Sequence, residues 1–185
     1  DANGVDDDGN GYIEDRYGWD FTDDDNDPNP TPIGPSWSDA IVVHGTHVAG
    51  LIGANGNNGI GTSGVNWDVT IMPIRVFTDT GSSSIDDIYN AINYAVNNGA
   101  DIINMSYGGG GYSVFEAEAI EEAYDQGMIS IAAAGNESTD LNTSPTYPAC
   151  HHHVVGVAAT DVTDAAASFT NYGTDCVDVA APGDL

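Results

Sequence analysis

The sequence predicts an α/β fold: a mainly parallel β-sheet flanked by helices. Three observations carry this. From residue 41 onward, across an α/β core over 41–185, strand signals in short apolar runs alternate with stretches whose apolar residues recur at helical spacing. The strand-like runs are apolar throughout, as parallel strands covered on both faces are. A glycine closes each helical stretch, at Gly99 and Gly127.

The elements follow in order. Residues 1–40 are polar, Asp-rich and broken by Pro and Gly, so they read as loops, with Tyr17-Gly18-Trp19-Asp20-Phe21 as a short apolar anchor. Ile71–Phe77 reads as a strand. Ser84 can cap the next helix, whose apolar positions Ile85, Ile88, Ala91, Ile92, Ala95 and Val96 keep a helical period. Asp101–Met105 is a second strand. A helix over 113–126 places Phe115, Ala119, Ile120 and Ala123 on one face, and apolar strands follow at Met128–Ala134, Val154–Ala159 and Val177–Ala181. Strands separated by helices imply βαβ units, whose functional residues gather at the carboxyl ends of strands. Asn136, just past the Ala132-Ala133-Ala134-Gly135 strand end, stands at such a place. No internal repeat is visible.

Composition limits the function classes. A length of 185 residues makes one domain, or part of one, and an apolar fraction of 41% suffices for a core. The 29 acidic residues face only Arg16 and Arg75, with no Lys, for a net charge of -27. Nucleic acid is thereby excluded as a partner, because phosphate binding needs clustered Lys and Arg. An acidic membrane surface is disfavoured for the same reason, and divalent cations are favoured. Salt would screen the self-repulsion. A saline habitat, or Ca²⁺ loops on a secreted surface, would each account for the acid. No apolar run reaches the roughly 18 residues of a transmembrane helix, and no signal peptide opens the chain. Cys150 and Cys176 lie 26 apart with no CxxC pattern. A disulfide is expected, with buried free thiols as the alternative.

Five segments carry the chemistry. His44-Gly45-Thr46-His47-Val48-Ala49-Gly50 puts an imidazole at the mouth of a small-residue helix, where it can act as a general base. Asn104-Met105-Ser106-Tyr107-Gly108, Ala133-Ala134-Gly135-Asn136, Ser168-Phe169-Thr170-Asn171-Tyr172-Gly173 and Ala181-Pro182-Gly183 follow. In this order, over residues 44–183, they resemble the motifs of the subtilisin-like serine proteases (subtilases, peptidase family S8). The resemblance implies a three-layer subtilisin-like fold, of which residues 1–185 form part of the peptidase domain. It also implies a serine endopeptidase with an Asp-His-Ser triad. By that resemblance His44 is the general base, suited by a histidine pKa near 6.5. The Asn136 amide would be the donor to the tetrahedral oxyanion. A peptide substrate would add as a strand to Ser106, Tyr107 and Gly108. Ala133, Ala134 and Gly135 would wall the specificity pocket, whose small residues suggest a broad, apolar-leaning preference.

Other features are weighed against this. His47 reads as structural. Asn136 could instead cap the turn that follows. His151-His152-His153 reads as surface or strand-edge histidines, because neighbours on a strand face opposite ways. Asp79-Thr80-Gly81 looks like the family's aspartate motif but follows His44, whereas the subtilase aspartate precedes the histidine. Gly61-Thr62-Ser63 looks like the start of a nucleophile motif but lacks the Met-Ala-Thr-Pro that follows in the family. With both rejected, the aspartate is expected before Asp1 and the serine after Leu185, and the chain alone is expected to be inactive. Val42 and Val43 stand before His44, where the family usually has Gly, after a Pro-rich segment from Pro28 to Pro35.

Asp6-Asp7-Asp8-Gly9-Asn10-Gly11-Tyr12-Ile13-Glu14-Asp15 follows the first half of an EF-hand loop. Asp6, Asp8, Asn10 and the Tyr12 carbonyl would bind Ca²⁺. Tyr17 occupies the usual Glu position, so Glu14 or Asp15, with Asp15 preferred, would close the site. The alternative is a solvated acidic turn. Asn55–Gly61 resembles a second subtilase calcium loop, with Asn58 as a ligand, although Asn and Gly equally suit a turn. Calcium, the possible disulfide and the family habit favour secretion, and a monomer is expected. The rival reading is a non-catalytic subtilase relative that binds peptides or Ca²⁺.

Overall fold

The computed structural model describes residues 3–30 and 40–184, with side chains from Val43 onward in the second stretch. The approach to the histidine motif over 31–39, most of the Pro-rich segment, and the Val42 side chain lie outside the described residues. The chain forms two compact units, 1–91 and 92–185.

The first unit holds β1 (Trp19–Asp20), α1 (Ala40–Gly53) and β2 (Ile74–Arg75), and α2 (Ile85–Asn97) begins in it. β1 and β2 pair in parallel, Trp19 opposite Ile74 and Asp20 opposite Arg75. Trp19 is buried, and Tyr12 meets its ring edge-on at a centroid distance of 5.0 Å and that of Phe21 at 5.7 Å. The predicted apolar anchor is therefore present, but it is also a strand. A Cβ on Gly18 would lie 1.8 Å from the Pro73 carbonyl oxygen, so only glycine lets the anchor approach β2. Conversely, the strand expected over 71–77 pairs only at 74–75. Its partner β1 is two residues long, and Pro73 has no N–H to donate.

Ion pairing fixes this small sheet. Asp20 is 1% exposed, and its carboxylate pairs with the Arg75 guanidinium. Asp20 Oδ1 also accepts the Thr22 N–H and hydroxyl, at 2.7 and 2.8 Å. Arg75 reaches Asp23 at 3.1 Å and Asp79 at 2.7 Å. Asp79 of the Asp79-Thr80-Gly81 turn is thus engaged as a structural partner of Arg75.

The second unit contains β3 (Ile102–Met105), α3 (Val114–Asp125), β4 (Ile129–Ala133), β5 (Val154–Thr160) and β6 (Val179–Pro182). The four strands pair in parallel in the order β3-β4-β5-β6. Ser113 caps α3, its side chain accepting the Glu116 N–H at 3.2 Å. The Met128 N–H returns to the Ala123 carbonyl at 2.9 Å and closes the helix.

Coverage of the sheet differs from expectation. Met105, Ser130, Ala132 and Ala134 are buried, whereas Ile102, Ile129 and Val179 are about half exposed. Strand alternation sends the latter to the opposite face, which the register aligns across the sheet. On α3, Ala119, Ile120 and Ala123 are buried as predicted, but Phe115 is exposed and Glu116 takes the buried position.

Cys150 and Cys176 form a disulfide, with sulfurs 2.07 Å apart, and pack beside Ala134, Leu141 and Ala158. Replacing both cysteines with serine should lower stability by about 3 kcal/mol, from the loop-closure entropy of a bridge of this span. Denaturant unfolding measures it, and an unchanged midpoint would show that the bridge contributes nothing.

Candidate active site

The parallel sheet assembles the predicted substrate-binding segments. β3 and β4 are neighbours, with Met105 opposite Ala132. Ser106, Tyr107 and Gly108 therefore leave β3 at the same end of the sheet at which Ala133, Ala134, Gly135 and Asn136 leave β4. This end is the carboxyl end, where open α/β sheets place their ligands. Asn136 and Ala133 are exposed, and Ala134 is buried.

Beyond β3, the Asn104 side-chain amide donates to Ser106 Oγ at 2.9 Å. Gly109 and Tyr147 exchange backbone hydrogen bonds at 2.9 and 2.7 Å, so the segment after Gly108 is tied down. The Tyr107 hydroxyl points to Glu116 Oε1 at 3.5 Å. Desolvation of its ring, and then the Glu116 charge, push the Tyr107 phenol far above its ordinary pKa.

His151 corrects the sequence reading. It is buried, with Nε2 2.9 Å from Glu116 Oε2 and its ring against Tyr147 at 4.5 Å. The expected alternation fails because β5 begins only at Val154 and His153 adopts a left-handed φ of 65°. His152 is exposed, while His153 stacks on Tyr124 at 3.7 Å and meets Glu121 at 3.2 Å. The His152 and His153 rings lie 6.3 Å apart, and His151 and His153 each meet a different glutamate of α3.

A residue that sequence reasoning passed over fixes the Asn136 loop. Asn171, 0% exposed, holds the loop over 134–139 through its side-chain amide. Its only signal in the sequence was its place in the 168–173 motif.

In the first unit, His44 is the fifth residue of α1 and is exposed, as is His47 three residues on, on the same helical side. Gly61, Thr62 and Ser63 are exposed and line the rim of an open hollow of about 200 Å³ formed by residues 55–63 and Trp67. Within that hollow Asn58 Oδ1 accepts the Ile60 N–H at 2.9 Å, an arrangement that closes a turn.

The Asp-rich loop presents hard oxygen donors. The carboxylates of Asp8 and Asp15 both accept from the Asn10 side-chain amide, at 3.2 and 2.8 Å. Asp6 turns its carboxylate to the backbone, accepting N–H groups of Gly11 at 2.8 Å, Gly9 at 2.7 Å and Asn10 at 3.2 Å. The Gly11 bond foremost holds the Asp6 carboxyl below its ordinary pKa, so it is anionic. Burial, then nearby acidic charge, pushes the Tyr12 phenol up. Among the described residues no three His, Cys, Asp or Glu side chains cluster as a metal site. Asp8, Asn10 and Asp15 carry oxygen donors of the kind Ca²⁺ takes, but the Asn10 amide meets the two carboxylates with its NH2 group while its Oδ1 accepts the Tyr12 N–H at 2.8 Å.

Known proteins resemble this chain in sequence and in fold. The sequence profile of the subtilase family, Peptidase_S8, matches residues 5–185. Thermitase of Thermoactinomyces vulgaris is 39% identical over 166 residues, which cover 90% of this chain and 54% of thermitase. The halolysin-like extracellular serine protease Nep of Natrialba magadii is 39% identical over 167 residues, 90% of this chain and 29% of that protein. The crystal structure of a cold adapted subtilisin-like serine proteinase superposes with a TM-score of 0.71 at 34% identity, covering 90% of this chain and 54% of that one. The chain thus spans about half the length of thermitase and less of the halolysin-like relative. Among the described residues, no helix is long and apolar enough to cross a membrane. With the profile matching nearly the whole sequence and 90% of the chain covered by the match to a subtilisin-like proteinase structure, the chain belongs to the subtilase family.

Proposed function

We propose that this chain carries the central part of a secreted, Ca²⁺-stabilised serine endopeptidase that acts as a monomer on polypeptides. The observation that carries the reading is the placement of Ser106–Gly108 and Ala133–Asn136 at the carboxyl ends of adjacent parallel strands. An extended peptide can pair with the first segment and lay its side chain against the second, with its scissile carbonyl near Asn136. His44 takes the proton of a serine hydroxyl as that oxygen attacks the carbonyl carbon. The Asn136 amide donates to the oxyanion that forms, and His44 then protonates the leaving amine as the C–N bond breaks. The serine and the aspartate that orients His44 come from sequence outside these 185 residues.

The test uses the full-length protein that carries this chain. Peptide hydrolysis, covalent labelling by a serine-directed fluorophosphonate and loss of both in His44→Ala are expected, while the 185-residue chain alone stays inactive. Peptide binding without hydrolysis or labelling would instead identify a non-catalytic relative.

Calcium is part of the proposal, with Asp8, Asn10 and Asp15 as side-chain ligands and Asp6 and the Tyr12 carbonyl completing the loop. An ion that binds only the folded state raises stability by about 2.7 kcal/mol at 100 times its Kd. Chelation should lower the thermal midpoint, and Asp8→Ala should weaken Ca²⁺ binding in a calorimetric titration. An unchanged affinity in that variant would remove this loop as the site.

A further inference from the structure

Asn171 has no exposed surface, and its side chain is spent entirely on the loop that carries Asn136. Its Nδ2 donates to the Ala134 carbonyl at 2.9 Å and to Glu137 Oε2 at 2.8 Å. Its Oδ1 accepts the N–H groups of Glu137 at 2.9 Å and Thr139 at 3.0 Å. A carboxamide offers two donors and two acceptor lone pairs, and all are used here. The Asn171 backbone N–H adds a bond to the Gly135 carbonyl at 3.0 Å.

These bonds bracket Asn136 on both sides. The N–H of Asn136 itself donates to Glu137 Oε2 at 2.9 Å, the same oxygen that the Asn171 amide holds. Gly135 has a φ of 106°, and a Cβ there would lie 2.4 Å from Asn171 Nδ2, so the loop closes on Asn171 without room for a side chain. An exposed loop of this kind would otherwise rely on bonds made in competition with water. A buried amide supplies them in a dry setting, where they hold geometry most firmly.

Electrostatic stabilisation of an oxyanion depends on a donor fixed before the charge develops. We propose that Asn171 is the positioning residue for the oxyanion donor, setting the place of Asn136 through its neighbours 134, 135 and 137. This rests on the reading of Asn136 as that donor.

The test is steady-state peptidase kinetics of the full-length protein with Asn171→Asp, Asn171→Ala, Asn136→Ala and the double variant Asn136→Ala/Asn171→Asp. A carboxylate at 171 cannot donate to Ala134 or Glu137. A displaced donor lowers kcat by about tenfold to 10²-fold, with KM within about twofold. In the Asn136→Ala background the same substitution should have almost no effect, since there is no donor left to misplace. Unchanged kcat in the Asn171 variants, or an equal loss in the Asn136→Ala background, would overturn the proposal. If Asn136→Ala itself leaves kcat unchanged, the oxyanion reading fails first, which is a distinct result. Should the Asn171 variants not fold, Glu137→Ala removes the exposed carboxylate that links Asn171 to Asn136. It should lower kcat in the same Asn136-dependent way, and a full loss without Asn136 would count against the proposal.

Discussion

Asn136→Ala in the full-length protein is expected to lower kcat for peptide hydrolysis by about 10²–10³ and to leave KM nearly unchanged. The size is the one established for a subtilisin that loses its oxyanion donor. The split between the two constants follows from where the amide acts. The ground-state carbonyl is weakly charged, whereas the tetrahedral intermediate carries a full oxyanion, so the bond strengthens as the transition state forms. Asn136 is exposed at the carboxyl end of β4, its N–H is held by Glu137 and the backbone on either side of it by Asn171, so the loop does not depend on its side chain. Unfolding should therefore be unaffected, which separates a chemical loss from a structural one. Steady-state kinetics on a chromogenic peptide, with a thermal melt of the same sample, measure both. A rise in KM at constant kcat would place Asn136 in ground-state binding and count against its role as donor.

Arg75→Ala should destabilise the fold by about 3–5 kcal/mol, the range for breaking a buried ion pair from one side. Asp20 is 1% exposed and the Arg75 side chain 11%, so the carboxylate left behind could neither hydrate nor find another cation nearby. Arg75 is one of only two basic residues in the chain, and it also binds Asp23 and Asp79. Its removal thus leaves three carboxylates facing one another. Arg75→Lys should recover only part of the loss, because an ammonium cannot span Asp20 and Asp79 as a planar guanidinium does. Urea unfolding at constant Ca²⁺ measures the change. A loss below about 1 kcal/mol, the range of a surface pair, would show that water reaches this network.

The sequence made the helices and the apolar strands legible because their signals are local. Ser113 caps α3 and Gly127 follows its end, both within three residues of where the pattern placed the boundaries. The strand at Trp19–Asp20 was hidden, since two residues carry no period and only Arg75 and Ile74 across the ladder define them. Phe115 and Glu116 exchanged expected roles for a related reason. A carboxylate is buried when a partner meets it, and His151 lies 35 positions away in the chain. The same holds for Asn171, whose importance lies in atoms of residues 134–139 that sequence spacing does not connect to it.

By itself the sequence determined the family and the order of the βαβ elements, and it singled out the candidates for the chemistry: His44, Asn136 and the segments at the ends of two strands. These follow from residue type and short-range period, which survive without coordinates. Only the tertiary structure decided which polar groups are buried and which partners satisfy them. It gave Asp79 to Arg75, His151 to Glu116 and the loop of Asn136 to Asn171. The physical reason is that a buried polar group must be paired, and the pairing is made by chain segments that meet only in the fold.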